Sequence, residues 1–284
     1  MKNQKPLQDR NFDKLVDKFE AKVYDTIKGE WRLKLLKEDL AALRNTSSNT
    51  SRNTSQIESA NADLPGLVNS NIHKLNVWDA GCGFAQISQW LAQAGHDVTL
   101  CDLSHQMLMR AKQNFAANDL TATFIEGPAQ EVAKTLPEFD LVLFHAVLEW
   151  LGKPKETLFE VASKVKSGGH LSLLFYNRNS VVIRNTLKGA WRLPGLLKDE
   201  YMGKGKKLTP PNPQIPEDVC QWLQDWGFEI EVHTGIRVFN DYMTPEAMEQ
   251  TNQEELLAME YRYCREPTYR NMARYIHILA KKQG

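Results

Sequence analysis

From residue 75 onward, short apolar runs alternate with segments whose apolar residues recur every three or four positions. The runs at 75–79, 97–102, 122–126, 139–145 and 170–176 read as strands. The near-continuous apolar character of Leu141-Val142-Leu143-Phe144 suits a parallel strand buried on both faces. The intervening segments 85–94, 104–117, 130–135 and 155–165 read as helices, with Ser104 as an N-cap. Gly168-Gly169 is expected to turn the chain into the fifth strand. A helix at 216–226 and strands at 228–233 and 275–280 complete the pattern. This order predicts an α/β, doubly wound sheet, mostly parallel, with helices on both faces.

Two stretches depart from the alternation. Before it, Phe12, Leu15, Val16, Phe19 and Val23 recur at helical spacing, and Leu33, Leu36, Leu40 and Leu43 share one side of a second helix at 31–43. Residues 45–71 are dominated by Asn, Ser and Thr and have little to bury, so they read as a flexible connector. The expected organisation is an N-terminal helical cap at 1–44, the connector at 45–71, and a main domain at 72–284. That domain carries an insertion at about 178–215, read as one long basic loop. Residues 178–207 hold eight Lys or Arg against two acids, with Trp191 and Tyr201 between them.

Charge gains meaning only from that clustering. The whole chain of 284 residues balances 35 Lys and Arg against 35 Asp and Glu, so net charge neither demands nor forbids a polyanionic partner. A lysine-rich loop has two readings. One is solvated surface. The other is a nucleic-acid contact, since the charge is concentrated beside the fifth strand end and interleaved with aromatics that stack on bases. Cys82, Cys101, Cys220 and Cys264 are scattered, which gives no pattern for zinc or dithiol chemistry, and no metal is expected. Residues 1–5 lead into no apolar signal segment, and no apolar run approaches a membrane span. A cytoplasmic protein without membrane association is expected.

The chemistry concentrates at two neighbouring strand ends. Val77-Trp78-Asp79-Ala80-Gly81-Cys82-Gly83 runs from a strand into an acid and two glycines, and Leu100-Cys101-Asp102 ends the next strand on a second acid. In doubly wound sheets, ligands lie beyond the carboxyl ends of the strands. Glycines let backbone approach a ligand where a side chain would clash, and Asp102 is placed to accept from a ribose diol. A dinucleotide fingerprint would place a third glycine where Gln86 stands. Asp79 would repel a pyrophosphate but could hold an ammonium group. The stretch therefore resembles the first motif of class I S-adenosylmethionine-dependent methyltransferases, Asp/Glu-x-Gly-x-Gly, with Ala85 where a further glycine is often found. At the same edge, Gln130 reads either as an adenine contact or as a helix-cap residue. His145 reads either as a structural histidine or as a site residue. Glu149-Trp150 reads either as pocket lining or as a cap on the following helix, with the structural role favoured.

Longer segments carry a more specific resemblance. The segments at 7–13, 100–104, 143–150 (Leu-Phe-His-Ala-Val-Leu-Glu-Trp), 175–177, 234–239, 262–265 and 274–277 look like those of the bacterial tRNA 5-carboxymethoxyuridine methyltransferase family, and the likeness spans nearly the whole chain. The departures are the 45–71 insert and Cys82 and Phe84 in the first motif, where Phe84 could alter cofactor contacts. The resemblance implies a Rossmann-like methyltransferase fold with seven strands, the last antiparallel. It implies S-adenosylmethionine held by Arg32, Asp79, Gly81, Cys82, Gly83, Asp102, Leu103, Ala129, Gln130 and His145, with Arg32 reaching the methionine carboxylate. The implied partner is a tRNA anticodon stem-loop, and the implied product is the methyl ester of its carboxymethoxy-bearing wobble uridine.

A carboxylate is already ionised at neutral pH, so no general base is expected and the task is to hold it in line. Arg237, Arg178 or Tyr201 would orient one carboxylate oxygen, with Tyr176 on the same side, and Lys204, Lys206 and Lys207 would meet tRNA phosphates. The competing readings are a small-molecule methyltransferase with the basic loop as a lid, a non-catalytic tRNA-binding protein, and a nicotinamide oxidoreductase, which Asp79 and Gln86 disfavour.

Overall fold

In the computed structural model, residues 8–20, 26–41, 43, 74–198 and 210–284 are described here. The connector at 45–71 and four expected substrate-side residues, Tyr201, Lys204, Lys206 and Lys207, lie outside them.

One seven-stranded sheet organises the chain, in the order β3-β2-β1-β4-β5-β7-β6. Its strands are β1 (Asn76–Ala80), β2 (Asp97–Asp102), β3 (Thr123–Glu126), β4 (Phe139–His145), β5 (Val165–Tyr176), β6 (Phe228–Ile236) and β7 (Tyr275–Lys282). β1 to β5 pair in parallel, and β7 runs antiparallel between β5 and β6. This is the expected mostly parallel α/β sheet with an antiparallel last strand. Strand order reverses between β1 and β4, and a doubly wound sheet opens its ligand crevice at such a reversal.

The helices are α1 (Val16–Phe19), α2 (Ile27–Ala41), α3 (Gln86–Gln93), α4 (His105–Ala117), α5 (Ala129–Ala133), α6 (Pro154–Ala162), α7 (Arg178–Thr186), α8 (Leu193–Leu197), α9 (Pro216–Asp225), α10 (Pro245–Gln250), α11 (Gln253–Tyr263) and α12 (Pro267–Arg270). Ser104 caps α4 as expected, its hydroxyl accepting from Met107 N at 3.2 Å. The core is continuous across the sheet. Leu35, Leu36 and Leu40 of α2 pack into the same cluster as Val77, Leu141 and Ile278.

Four local readings change. Gly168-Gly169 does not precede the fifth strand but lies inside it, where the register slips between the Phe139–Val165 and Leu141–His170 pairs. Gly168 takes φ +75°, and a Cβ on Gly169 would sit 2.9 Å from the Asp140 carbonyl, so both glycines serve the irregularity. α2 begins at Ile27 instead of residue 31, because Thr26 starts it, its hydroxyl accepting from Gly29 N at 3.1 Å. The expected long loop after β5 opens as α7, capped by Asn177, whose side chain accepts from Asn179 N at 2.9 Å. The helices between β6 and β7 were unassigned in the sequence, although Thr244-Pro245 and Asn252 are readable start signals.

Candidate cofactor and substrate site

The site begins with the turn after β1. Gly81 N and Cys82 N both donate to the Cys101 carbonyl on β2, at 2.8 and 2.9 Å, which folds the loop across the neighbouring strand end. Gly81 adopts φ +80°, and a Cβ there would lie 2.5 Å from Val147 Cγ2. Gly83 follows at φ +53°, and Ala85 keeps a left-handed φ of 57° where a further glycine was noted as missing. An alanine so held costs about 1 kcal/mol.

Asp102 closes the loop. Its Oδ2 accepts from Gly83 N at 2.9 Å and its Oδ1 from Ser104 N at 2.8 Å. Each oxygen retains acceptor capacity for a hydroxyl. Burial pushes this carboxyl up to about 6, and burial pushes Asp79 up to about 7. Ser88 Oγ donates to Asp79 Oδ2 at 2.5 Å.

These strand ends line a cavity enclosing about 1310 Å³ out to its open mouth. All ten residues named as cofactor contacts lie on its wall: Arg32, Asp79, Gly81, Cys82, Gly83, Asp102, Leu103, Ala129, Gln130 and His145. They are spread along it, with Asp102 and Gln130 over β2 and β3 and with Asp79 and His145 over β1 and β4. Gln130 does not cap its helix. Its Nε2 donates to Asp9 Oδ2 at 2.8 Å, and its Oε1 is buried without a partner. Burial holds His145 well below the usual histidine range, and the nearby His277 and Arg32 push the same way, so the ring is neutral. Burial also raises the Cys82 thiol, which is therefore no nucleophile at neutral pH.

Other expectations need correcting. Phe84 does not face the cavity; it packs with Val16 and Met107 in a separate cluster. Arg237 is paired, its Nε and Nη2 each donating to Asp241 at 2.6 Å. Tyr176 is buried beneath Tyr275, with ring centroids 5.5 Å apart, and lies behind the cavity wall. Arg178 opens α7, its backbone N donating to the Gln214 carbonyl at 2.8 Å. Glu149 is a wall residue instead of a cap. Both its carboxylate oxygens are buried without partners, and burial raises the group to about 7.

A strap over the cavity escaped the periodicity argument. Asp9 accepts from Gly152 N at 2.9 Å, and Phe12 packs edge-on against Trp150 at 4.9 Å. Arg10 lies 5.1 Å above the Trp150 ring. Asp13 accepts from Ser104 Oγ at 2.6 Å. Asp9 and Arg10 precede the periodic run that starts at Phe12, so only the quoted resemblance at 7–13 touched them.

The wall fits S-adenosylmethionine on its own chemistry. It combines a paired acceptor for a diol, an orphaned amide carbonyl, an acid for an ammonium and Arg32 for a carboxylate. Fold and cavity together define an S-adenosylmethionine-dependent methyltransferase. Residues 78–173 match a family described as a methyltransferase domain. A tRNA 5-carboxymethoxyuridine methyltransferase from Escherichia coli is 37% identical over 281 residues, covering 97% of each chain. This chain belongs to the tRNA 5-carboxymethoxyuridine methyltransferase family. A ubiquinone biosynthesis O-methyltransferase from Coxiella burnetii is 28% identical over 163 residues, 57% of this chain and 66% of that one. Magnesium protoporphyrin IX methyltransferase from Synechocystis, solved with bound SAH, superposes with a TM-score of 0.56 at 18% identity and covers 96% of both chains, which shows the shared fold. Among the described residues, no helix is long and apolar enough to cross a membrane, and no cluster of His, Cys, Asp and Glu has the makings of a metal site.

The raised carboxyls should make cofactor binding pH-dependent. In the unfolded chain an aspartate titrates near ~4, whereas Asp79 and Asp102 keep their protons to about 7 and about 6 in the fold. Between these values the folded protein holds more protons than the unfolded one, so its stability falls as pH rises through that window. The cofactor carries a sulfonium and an ammonium against one carboxylate, and its net positive charge favours the ionised acids. Binding should release protons, and affinity should rise from about pH 5.5 to about pH 7.5. Calorimetry at pH ~6.5 in buffers of different ionisation enthalpy measures the release. Buffer-independent heats would mean the acids are already ionised in the free protein.

Proposed function

We propose that this protein methylates the carboxylate of 5-carboxymethoxyuridine at the wobble position of tRNA, in the cytoplasm, and forms the methyl ester. The observation that carries the reading is end-to-end likeness to a relative bearing that name, at 37% identity over 97% of both chains. When bound, S-adenosylmethionine supplies an electrophilic methyl group. The chain's own task is binding and alignment. Arg32 holds the methionine carboxylate, Asp102 the ribose, and Ala129 and Gln130 the adenine. The strap of Asp9, Arg10 and Phe12 limits water at the mouth.

No wall residue needs to remove a proton, because the accepting carboxylate is ionised at neutral pH. On the wall, His145 is tied through Nε2 to Ser172 at 2.8 Å. Arg178 and Tyr201 orient one oxygen of the substrate carboxylate and leave the other to attack. Lys204, Lys206 and Lys207 contact phosphates of the anticodon stem-loop.

The test uses purified protein, S-adenosylmethionine and tRNA carrying 5-carboxymethoxyuridine, with mass spectrometry of the digested nucleosides. The wobble nucleoside should become one methylene heavier and revert on mild alkaline hydrolysis, as an ester does. Methylation of small carboxylic acids with none on tRNA would instead assign the protein to small-molecule chemistry.

A further inference from the structure

A buried chain of polar groups crosses the sheet from the cavity to helix α2. His145 Nε2, at the end of β4, lies 2.8 Å from Ser172 Oγ on β5. That oxygen lies 2.8 Å from His277 Nε2 on β7. His277 Nδ1 lies 2.7 Å from Asp39 Oδ2 on α2, and Arg265 Nη2 donates to Asp39 Oδ1 at 2.6 Å. Ser172 and His277 are fully buried. Polar groups so placed cost stability unless every member is bonded, and apolar side chains would fill the same space without that cost.

Counting protons gives the chain a direction. Burial works to raise the Asp39 carboxyl, but His277 and Arg265 outweigh it and hold it below its usual value, so Asp39 is an acceptor. His277 therefore donates through Nδ1, and Arg265 already balances the Asp39 charge. With a single proton on the His277 ring, Nε2 carries a lone pair, and Ser172 spends its only proton there. The Ser172 oxygen is left to accept from His145 Nε2–H. His145 is neutral and has one ring proton, so its Nδ1 is bare. The ring lines the cavity, and no described residue bonds that nitrogen.

Methyl transfer to a carboxylate moves no proton, since an anion and a sulfonium become an ester and a thioether. A proton-transfer role is therefore not required of the chain. We infer that Asp39, His277 and Ser172 are positioning residues that lock His145 in its Nε2–H tautomer, presenting Nδ1 as an acceptor to the ammonium of the cofactor's amino-acid end. The inference rests on the assignment of that end to Arg32 and His145. An ammonium has three donors and needs more acceptors than Asp79 supplies. Asp39 also lies seven residues after Arg32, on the same face of α2. One relay thus anchors the helix that grips the carboxylate and orients the ring that receives the amine.

The probes are S-adenosylhomocysteine, which has the amino-acid end, and 5′-methylthioadenosine, which lacks it. The wild type should bind the first more tightly. Ser172→Ala should weaken S-adenosylhomocysteine about 5- to 30-fold and leave 5′-methylthioadenosine within about twofold. Ser172→Thr should restore the difference, and Arg32→Ala should erode it by an independent route. In ¹⁵N-histidine spectra of the wild type, His145 should carry its proton on Nε2. That measurement needs no variant, and a proton on Nδ1 overturns the inference. Equal losses for both ligands in Ser172→Ala also overturn it, because Ser172 would then merely support the cavity. Equal wild-type affinity for the two ligands would defeat the underlying assignment of the amino-acid end, a separate result from loss of the relay alone.

Discussion

Asp102→Ala should raise the dissociation constant for S-adenosylmethionine by at least about a hundredfold, with turnover at saturating cofactor much less affected. The ribose diol donates two hydrogen bonds to a charged acceptor, and such bonds contribute about 1.5–3 kcal/mol each. The geometry directs them, because Gly83 N and Ser104 N approach the two carboxylate oxygens from the loop side at 2.9 and 2.8 Å. Removing the side chain leaves those amides without acceptors but also removes a buried acid that desolvation has raised to about 6. The two effects oppose, so the melting temperature of the free protein should move little. The stabilisation brought by added cofactor should largely vanish. Calorimetric titration together with thermal denaturation, with and without cofactor, separates these quantities. Wild-type affinity in the variant would move the ribose away from Asp102.

Glu260→Ala should cost about 3–5 kcal/mol of folding stability, among the largest single-residue losses available outside the apolar core. Glu260 sits on α11 at 1% exposure. Its carboxylate accepts from three successive backbone amides, Val238 N at 2.5 Å, Phe239 N at 2.9 Å and Asn240 N at 2.9 Å. These amides leave β6 just after Arg237, which adopts a left-handed φ of 64° and so turns the chain sharply. Alanine would strand three donors away from water, each costing about 1–3 kcal/mol in isolation, with relaxation recovering part. Glu260→Gln keeps one oxygen and should lose less. Urea unfolding of both variants measures the difference. A loss below about 1 kcal/mol for alanine would show that water replaces the carboxylate.

The two sites differ in how they could be read. Asp79, Gly81, Gly83 and Asp102 lie within one strand-helix-strand unit, and the bonds joining them span at most 20 residues, as from Gly81 N to the Cys101 carbonyl. A local motif on consecutive strands needs only the fold's hand and register to become a site. Glu260 offered no such signal. It sits among ordinary helix-forming residues, and its partners lie about 20 residues away in a segment without periodicity. The strap at Asp9 was hidden for the same reason, since its bond to Gly152 crosses 143 residues. For Arg237 the sequence shows a cation but not its partner, Asp241. Asp241 stands only four residues away, and Arg237 itself adopts a positive φ that the sequence does not announce.

The sequence by itself determined the alternating architecture, the parallel core strands and the acidic glycine turn, because each depends on the identity and spacing of near neighbours. Solvent exclusion imposes those periodicities strand by strand and helix by helix. Only the tertiary structure decided which polar residues meet. Asp39 and His277 stand 238 residues apart and come within 2.7 Å because α2 packs on the sheet beside β7. A histidine in a strand and an aspartate in a helix read the same whether paired or exposed. What separates the cases is burial, where an unbonded polar group is too costly to leave alone, and burial is a property of the assembled core.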